Sequence, residues 1–147
     1  MRLGIIITAL IVVISLAAFG AKTDEDELPR LIQHARSARI EQQPGLYTNI
    51  AERELKLADQ LYSADDIEKA RAALGGVVSY ADKASDAAIQ TGKDLKHTEI
   101  AMRKMSFKLR DMERKLTFSD QPPLQDASDH LEKLRTSLLA RMFKKRK

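Results

Sequence analysis

The sequence predicts an all-α fold: an elongated antiparallel helical bundle with a long heptad-patterned, coiled-coil-like helix, after an N-terminal signal or anchor helix. Three observations predict it. Apolar residues recur at three- and four-residue steps, and no stretch alternates with the two-residue period of a strand. The pairs Glu52 and Lys56, Asp65 and Lys69, Glu99 and Arg103, Asp111 and Lys115, and Asp129 and Lys133 place an acid four positions before a base, the favourable order on a helix surface. A single uncharged run, residues 3–21, lies near the N-terminus, between Arg2 and Lys22.

That run defines the first segment, residues 1–20. A positive start, an apolar middle dense in Ile, Leu and Val, and small residues at its end make a secretory signal. Cleavage after Gly20 puts Ala18 and Gly20 at the two positions that must be small. An uncleaved membrane anchor is the alternative, because 19 uncharged residues approach the roughly 20 needed to span the hydrocarbon layer. Either way, the acidic run Asp24, Glu25, Asp26 and Glu27 and all that follows are expected across the membrane, periplasmic or secreted, or tethered by the N-terminal helix.

Residues 21–147 are expected to form a single helical domain. With 44% hydrophobic and 31% charged residues, six glycines and four prolines, the whole 147-residue sequence fits neither a collagen-like nor a disordered chain. A first helix is expected over 27–42, with Leu28, Leu31, Ile32 and Ala35 on one face, Pro29 in its first turn, and Pro44 and Gly45 at its end. A second, over 46–62, presents Tyr47, Ile50, Ala51, Leu57, Ala58 and Leu61. Asp65 and Glu68 have the spacing of an N-cap and its reciprocal partner.

From there one seven-residue register runs without a skip to Leu116. Ile67, Leu74, Ala81, Ala88, Leu95, Met102, Leu109 and Leu116 hold one seam position, and Ala70, Val77, Ala84, Thr91, Thr98, Met105 and Met112 the other. The register predicts a helix over 66–117. Gly92 is the point where it could break, with Asp94 capping a new start; in-phase residues on both sides favour continuity. Pro122 and Pro123 interrupt. A last helix over 124–143, with Leu124, Ala127, Leu131, Leu134, Leu138 and Met142 on its stripe, is expected to pack antiparallel to the segment before the prolines.

The chemistry excluded is as informative. Without cysteine there are no disulfides, thiolate metal sites or thiol nucleophiles. His34, His97 and His130 lie apart, and His97 and His130 are expected to face solvent. Met102, Met105 and Met112 line the seam, where methionine fills gaps between helices. No glycine-rich phosphate loop or nucleophile elbow occurs. The expectation is a non-enzymatic structural or interaction protein with no metal, no cofactor, no nucleic-acid partner and no small-molecule substrate.

Two basic features and one apolar pair are the interaction candidates. Lys96, Arg103, Arg110 and Arg114 form a ridge off the seam. Arg141, Lys144, Lys145, Arg146 and Lys147 put five cations in the last seven residues. Either group suits an anionic membrane surface, an envelope polyanion or an acidic protein. Ile100 and Phe107, seven apart, also lie off the seam and are placed opposite the ridge, an extra apolar contact for a protein partner or a homo-oligomer.

Over 51–84, small Ala58 and Ala70 and larger Leu61 and Leu74 stand near positions that tetratricopeptide repeats use. The stretch resembles a single hairpin of that family, with Glu54 where the repeat has Trp and Asp82 where it has Pro. The resemblance implies a protein-binding groove.

Overall fold

A computed structural model describes residues 24–144. Among them are five α-helices: α1 (Asp24–Ser37), α2 (Gln43–Ser63), α3 (Ile67–Thr91), α4 (Leu95–Glu113) and α5 (Gln121–Lys144), with one 3-10 turn over Phe118–Asp120 before α5. No strand occurs among the described residues. None of their helices is long and apolar enough to cross a membrane. The signal or anchor expected over 1–20 lies outside the described residues, as do Lys145, Arg146 and Lys147.

The junctions explain where the observed helices depart from the expected ones. The first helix ends at Ser37, not near residue 42, because the Gln43 side-chain amide donates to the Ala35 and Ala38 carbonyls at 3.3 and 3.4 Å. Pro44 therefore opens α2 instead of closing α1. It is buried in the first turn of α2, where a missing N–H costs nothing. Pro29, expected in a first turn, lies inside α1.

Between α2 and α3, Asp65 takes a left-handed backbone, φ 60°. The Asp66 amide bonds to the Leu61 carbonyl and the Asp65 amide to that of Tyr62, at 2.9 and 3.1 Å. These two bonds form a Schellman closure with Asp65 just past the helix end. The N-cap of α3 is thus Asp66, whose side chain accepts from the Lys69 amide, one residue after the expected Asp65.

The long heptad helix does break at Gly92. Gly92 and Asp94 both adopt left-handed conformations, φ 70° and 55°, and two such residues so close reverse the chain. Gly92 N–H closes α3 on the Ala88 carbonyl at 2.8 Å, and Thr98 N–H begins α4 on that of Asp94, also 2.8 Å. α4 then stops at Glu113. Pro122 and Pro123 sit in the first turn of α5, so they start the last helix three residues before the expected 124.

The helices form two antiparallel hairpins, α2 with α3 and α4 with α5. In the first, Tyr47 stacks on Tyr80 with ring centroids 6.1 Å apart, and the Lys83 ammonium lies 5.8 and 5.2 Å from the two rings. In the second, Ser106 meets Ser128 and Glu99 meets Arg135, which fixes the antiparallel sense expected for the last helix. The hairpins stack in the same orientation: α2 runs beside α4 through Asp59 and Lys108 at 2.7 Å. α3 runs beside α5 through Arg71 and Asp120 at 3.2 Å, Asp82 and His130 at 2.7 Å, and Arg141 Nε on the Ile89 carbonyl at 3.1 Å.

The enclosed core is small-residue and aliphatic. Ala58, Ala70, Leu74, Val77, Ala81, Ala84, Ala88, Met102, Met105, Leu109, Met112, Leu124, Leu131 and Leu138 are all buried in one cluster. Most seam positions of the heptad register are thus buried although the helix carrying them is in two pieces. The three methionines pack as part of this cluster. Among the described residues phenylalanine takes no part: Phe107, Phe118 and Phe143 are 55%, 88% and 64% exposed.

Candidate interaction surfaces

The α4 candidates lie on one stripe. At 100° per residue, Lys96, Ile100, Arg103, Phe107, Arg110 and Arg114 follow one another at steps of four, three, four, three and four, so cations and apolar groups interleave along one line. The placement of Ile100 and Phe107 opposite the basic ridge is therefore wrong. The Arg110 guanidinium lies 6.0 Å from the centre of the Phe107 ring, within range of a cation–π contact.

The stripe borders α5, and its members differ in freedom. Arg110 Nε donates to Ser128 Oγ at 3.0 Å, and Ser128 shares a hydrogen bond of 3.3 Å with buried Ser106. Arg110 is thus anchored across the hairpin, beside the exposed ring of Phe107. Arg114 pairs with Asp111. Lys96 and Arg103 are exposed and have no ion pair among the described residues. Arg103 lacks one because its expected partner Glu99 turns inward. Glu99 is buried and accepts from Arg135 Nε at 2.7 Å, and Arg135 also reaches Glu132 at 3.3 Å. Ile100 is half-buried beside an open hollow of about 610 Å³ that also takes in Lys96, His97 and Met142.

The basic tail is only partly described. Arg141 is committed to the Ile89 carbonyl, which ties the end of α5 to α3. Lys144 is exposed, next to exposed Phe143.

A second surface escaped the reading of the sequence. Between the side-by-side helices α3 and α5 runs an open groove of about 660 Å³, with Leu74, Val78, Pro123 and Ala127 along it. Its charged members are Arg71, Asp82, Asp126 and His130. Arg71 is already engaged by Asp120 and, at 3.8 Å, by Glu68. His130 was expected to face solvent, but it is half-buried and donates from Nε2 to Asp82 Oδ1 at 2.7 Å; His97 is exposed, as expected. Gly75 opens onto the groove, and a Cβ built there meets no atom within 4 Å. The spacing of 48 between Asp82 and His130 hides their contact from any local pattern; only the stacking of the hairpins brings them together.

Among the described residues no three His, Asp or Glu side chains converge as a metal site. The oxygens of Tyr62, Ser85 and Thr98 are buried without a hydrogen-bond partner, and burial pushes the Tyr62 phenol above its ordinary range, with Arg71 opposing and Asp120 reinforcing the shift. Compared with protein-family models, with curated proteins and with solved structures, the chain gives no match.

Proposed function

We propose that the chain is an exported, non-enzymatic helical interaction protein that presents α4 to a protein partner. The observation that carries this reading is the α4 stripe, in which Ile100 and Phe107 sit among Lys96, Arg103, Arg110 and Arg114. A half-solvated Phe flanked by cations is the composition of an interface anchor, since interface centres are enriched in aromatic residues and arginine. Arg110 is pre-ordered by Ser128, which lowers the entropy lost on docking. The resemblance of residues 51–84 to a single tetratricopeptide hairpin points the same way. The export arm of the proposal rests on the uncharged run at residues 3–21.

A photoreactive amino acid at Phe107 of the full chain, irradiated in intact cells, tests the reading. The expected product is a protein adduct that disappears when Arg103→Glu is added and is not formed from a probe at Asp129. Adducts equal at both probes, or none, would overturn it.

The exposed end formed by Phe143 and Lys144 favours a second contact, in which the basic tail meets an anionic membrane surface. It predicts adsorption to vesicles containing phosphatidylglycerol that weakens with salt and is lost when the chain stops at Phe143. Adsorption that survives both changes would exclude the tail as its cause.

A further inference from the structure

The two surfaces of the molecule complement each other. The stripe on α4 is cationic and apolar, with four basic residues around Ile100 and Phe107. The α3–α5 groove is apolar with carboxylates on its walls: Leu74, Val78, Pro123 and Ala127 line it together with Asp126 and with Asp82, which His130 holds, while the lining guanidinium of Arg71 is already neutralised by Asp120 and Glu68. Asp126 is exposed and has no ion pair among the described residues, as is true of Arg103 on the stripe. Gly75 leaves open space over the groove, and the Phe107 ring is 55% exposed.

From this we infer that the partner of the α4 stripe is a second copy of the same chain, which seats its stripe in the α3–α5 groove with Phe107 over Gly75 and Arg103 toward Asp126. The inference rests on the reading of α4 as a protein-docking stripe and gives that stripe its occupant. The mode is a helix laid in a groove, read by anchors at i, i+3 and i+7; Ile100, Arg103 and Phe107 have that spacing. The length also fits, since Ile100 to Phe107 covers about 10 Å of helix at 1.5 Å per residue, and the groove from Arg71 to Asp82 covers about 16 Å. Stripe and groove are different patches, so each copy offers one half of the contact at two places. Such a heterologous contact propagates head to tail unless its rotation closes a ring.

Sedimentation equilibrium of the purified chain supplies the test. The average mass is expected to rise with protein concentration. Phe107→Ser removes the anchor and Gly75→Trp fills the groove; each alone is expected to weaken association about tenfold or more, with helicity by circular dichroism unchanged. Mixed in equal amounts, the two variants are expected to form a one-to-one dimer and stop there, because the intact stripe of the Gly75→Trp copy meets the intact groove of the Phe107→Ser copy. Charge reversal provides an independent pair that leaves the packing alone: Arg103→Glu is expected to abolish association with the unaltered groove and to recover it with an Asp126→Arg partner.

A mass that stays monomeric at every concentration, an oligomer indifferent to all four substitutions, or mixtures that fail to associate would overturn the inference. The probe at Phe107 separates this failure from the wider one. Adducts to another copy support both readings, and adducts to a different protein leave α4 as a docking stripe but remove the second copy as its occupant. Lipid adducts alone, or none, remove both.

Discussion

Asp65 occupies a backbone position that suits glycine. Its φ of 60° costs a residue with a Cβ roughly 1 kcal/mol or more, while the Schellman bonds use only its amide and that of Asp66. The capping carboxylate belongs to Asp66. Asp65→Gly should therefore raise the unfolding free energy by about 0.5–1 kcal/mol, read as a higher urea midpoint at unchanged slope. A lower midpoint would mean that the Asp65 side chain contributes more than its backbone strain takes away. Glu54 is a different case. It is half-buried against α3, where a Cβ on Gly76 would come within 2.7 Å of its Cδ, and burial raises its carboxyl above the ordinary carboxylate range. The native state then holds the Glu54 proton more tightly than the unfolded chain does. The penalty is absent below the unfolded pKa, grows as pH rises toward the folded one, and is fully present above it. Glu54→Gln keeps the shape and removes the charge, so it should stabilise the fold at pH 7, by less than about 1 kcal/mol for so partly solvated a group, and give no gain near pH 3. Equal gains at both pH values would point to packing as the cause.

At the scale of the helix, the break at Gly92 decides the architecture. A β-carbon at φ 70° is disfavoured by about 1–2 kcal/mol, and Gly92 N–H is the last rung of α3. Gly92→Ala should lower stability by that amount. If the two halves prefer one continuous rod, the same substitution should instead lengthen the molecule, which small-angle scattering would detect as a larger radius of gyration. The seam from Ile67 to Leu116 was legible in the sequence because a heptad pattern records which side of each helix is covered. It does not record whether the cover comes from the next turn of a rod or from a chain that has doubled back. The left-handed Asp94 makes the difference, and aspartate is read more readily as an N-cap than as a reversal. The prolines were misplaced for a related reason: Pro44, Pro122 and Pro123 punctuate the chain, but a proline both ends one helix and begins another, and only the Gln43 and Gln121 side chains, bonded to Ala35, Ala38 and Leu116 carbonyls, show which side it belongs to. The cations of the α4 stripe were legible one by one. Their alignment with Phe107 follows from the same helical repeat, and the α3–α5 groove was beyond reach because its walls come from helices about fifty residues apart.

At the scale of the molecule, two hairpins share one core while their visible ties are weak. Asp59 with Lys108, Arg71 with Asp120, and Asp82 with His130 are partly exposed pairs, and such pairs contribute only about 0–1 kcal/mol each. The binding force between the hairpins is the joint burial of alanine, leucine and methionine from α2, α3, α4 and α5 in one cluster. Neither hairpin can cover its own inner face, and α4 with α5 makes a unit of the size at which a core alone barely suffices. Isolated helices of this length are marginal in water. A fragment of residues 94–144 should therefore have little helix by circular dichroism, as should residues 24–93, and mixing the two should restore helicity and a single cooperative thermal transition. The full chain should also melt in one step, with fluorescence of Tyr47 and Tyr80 in the first hairpin tracking total helicity. If the 94–144 fragment melts cooperatively by itself near the midpoint of the whole chain, the hairpins are independent units joined at Gly92. The α3–α5 groove, whose two walls belong to different hairpins, would then have no fixed shape, and head-to-tail assembly would lose the surface that receives the α4 stripe.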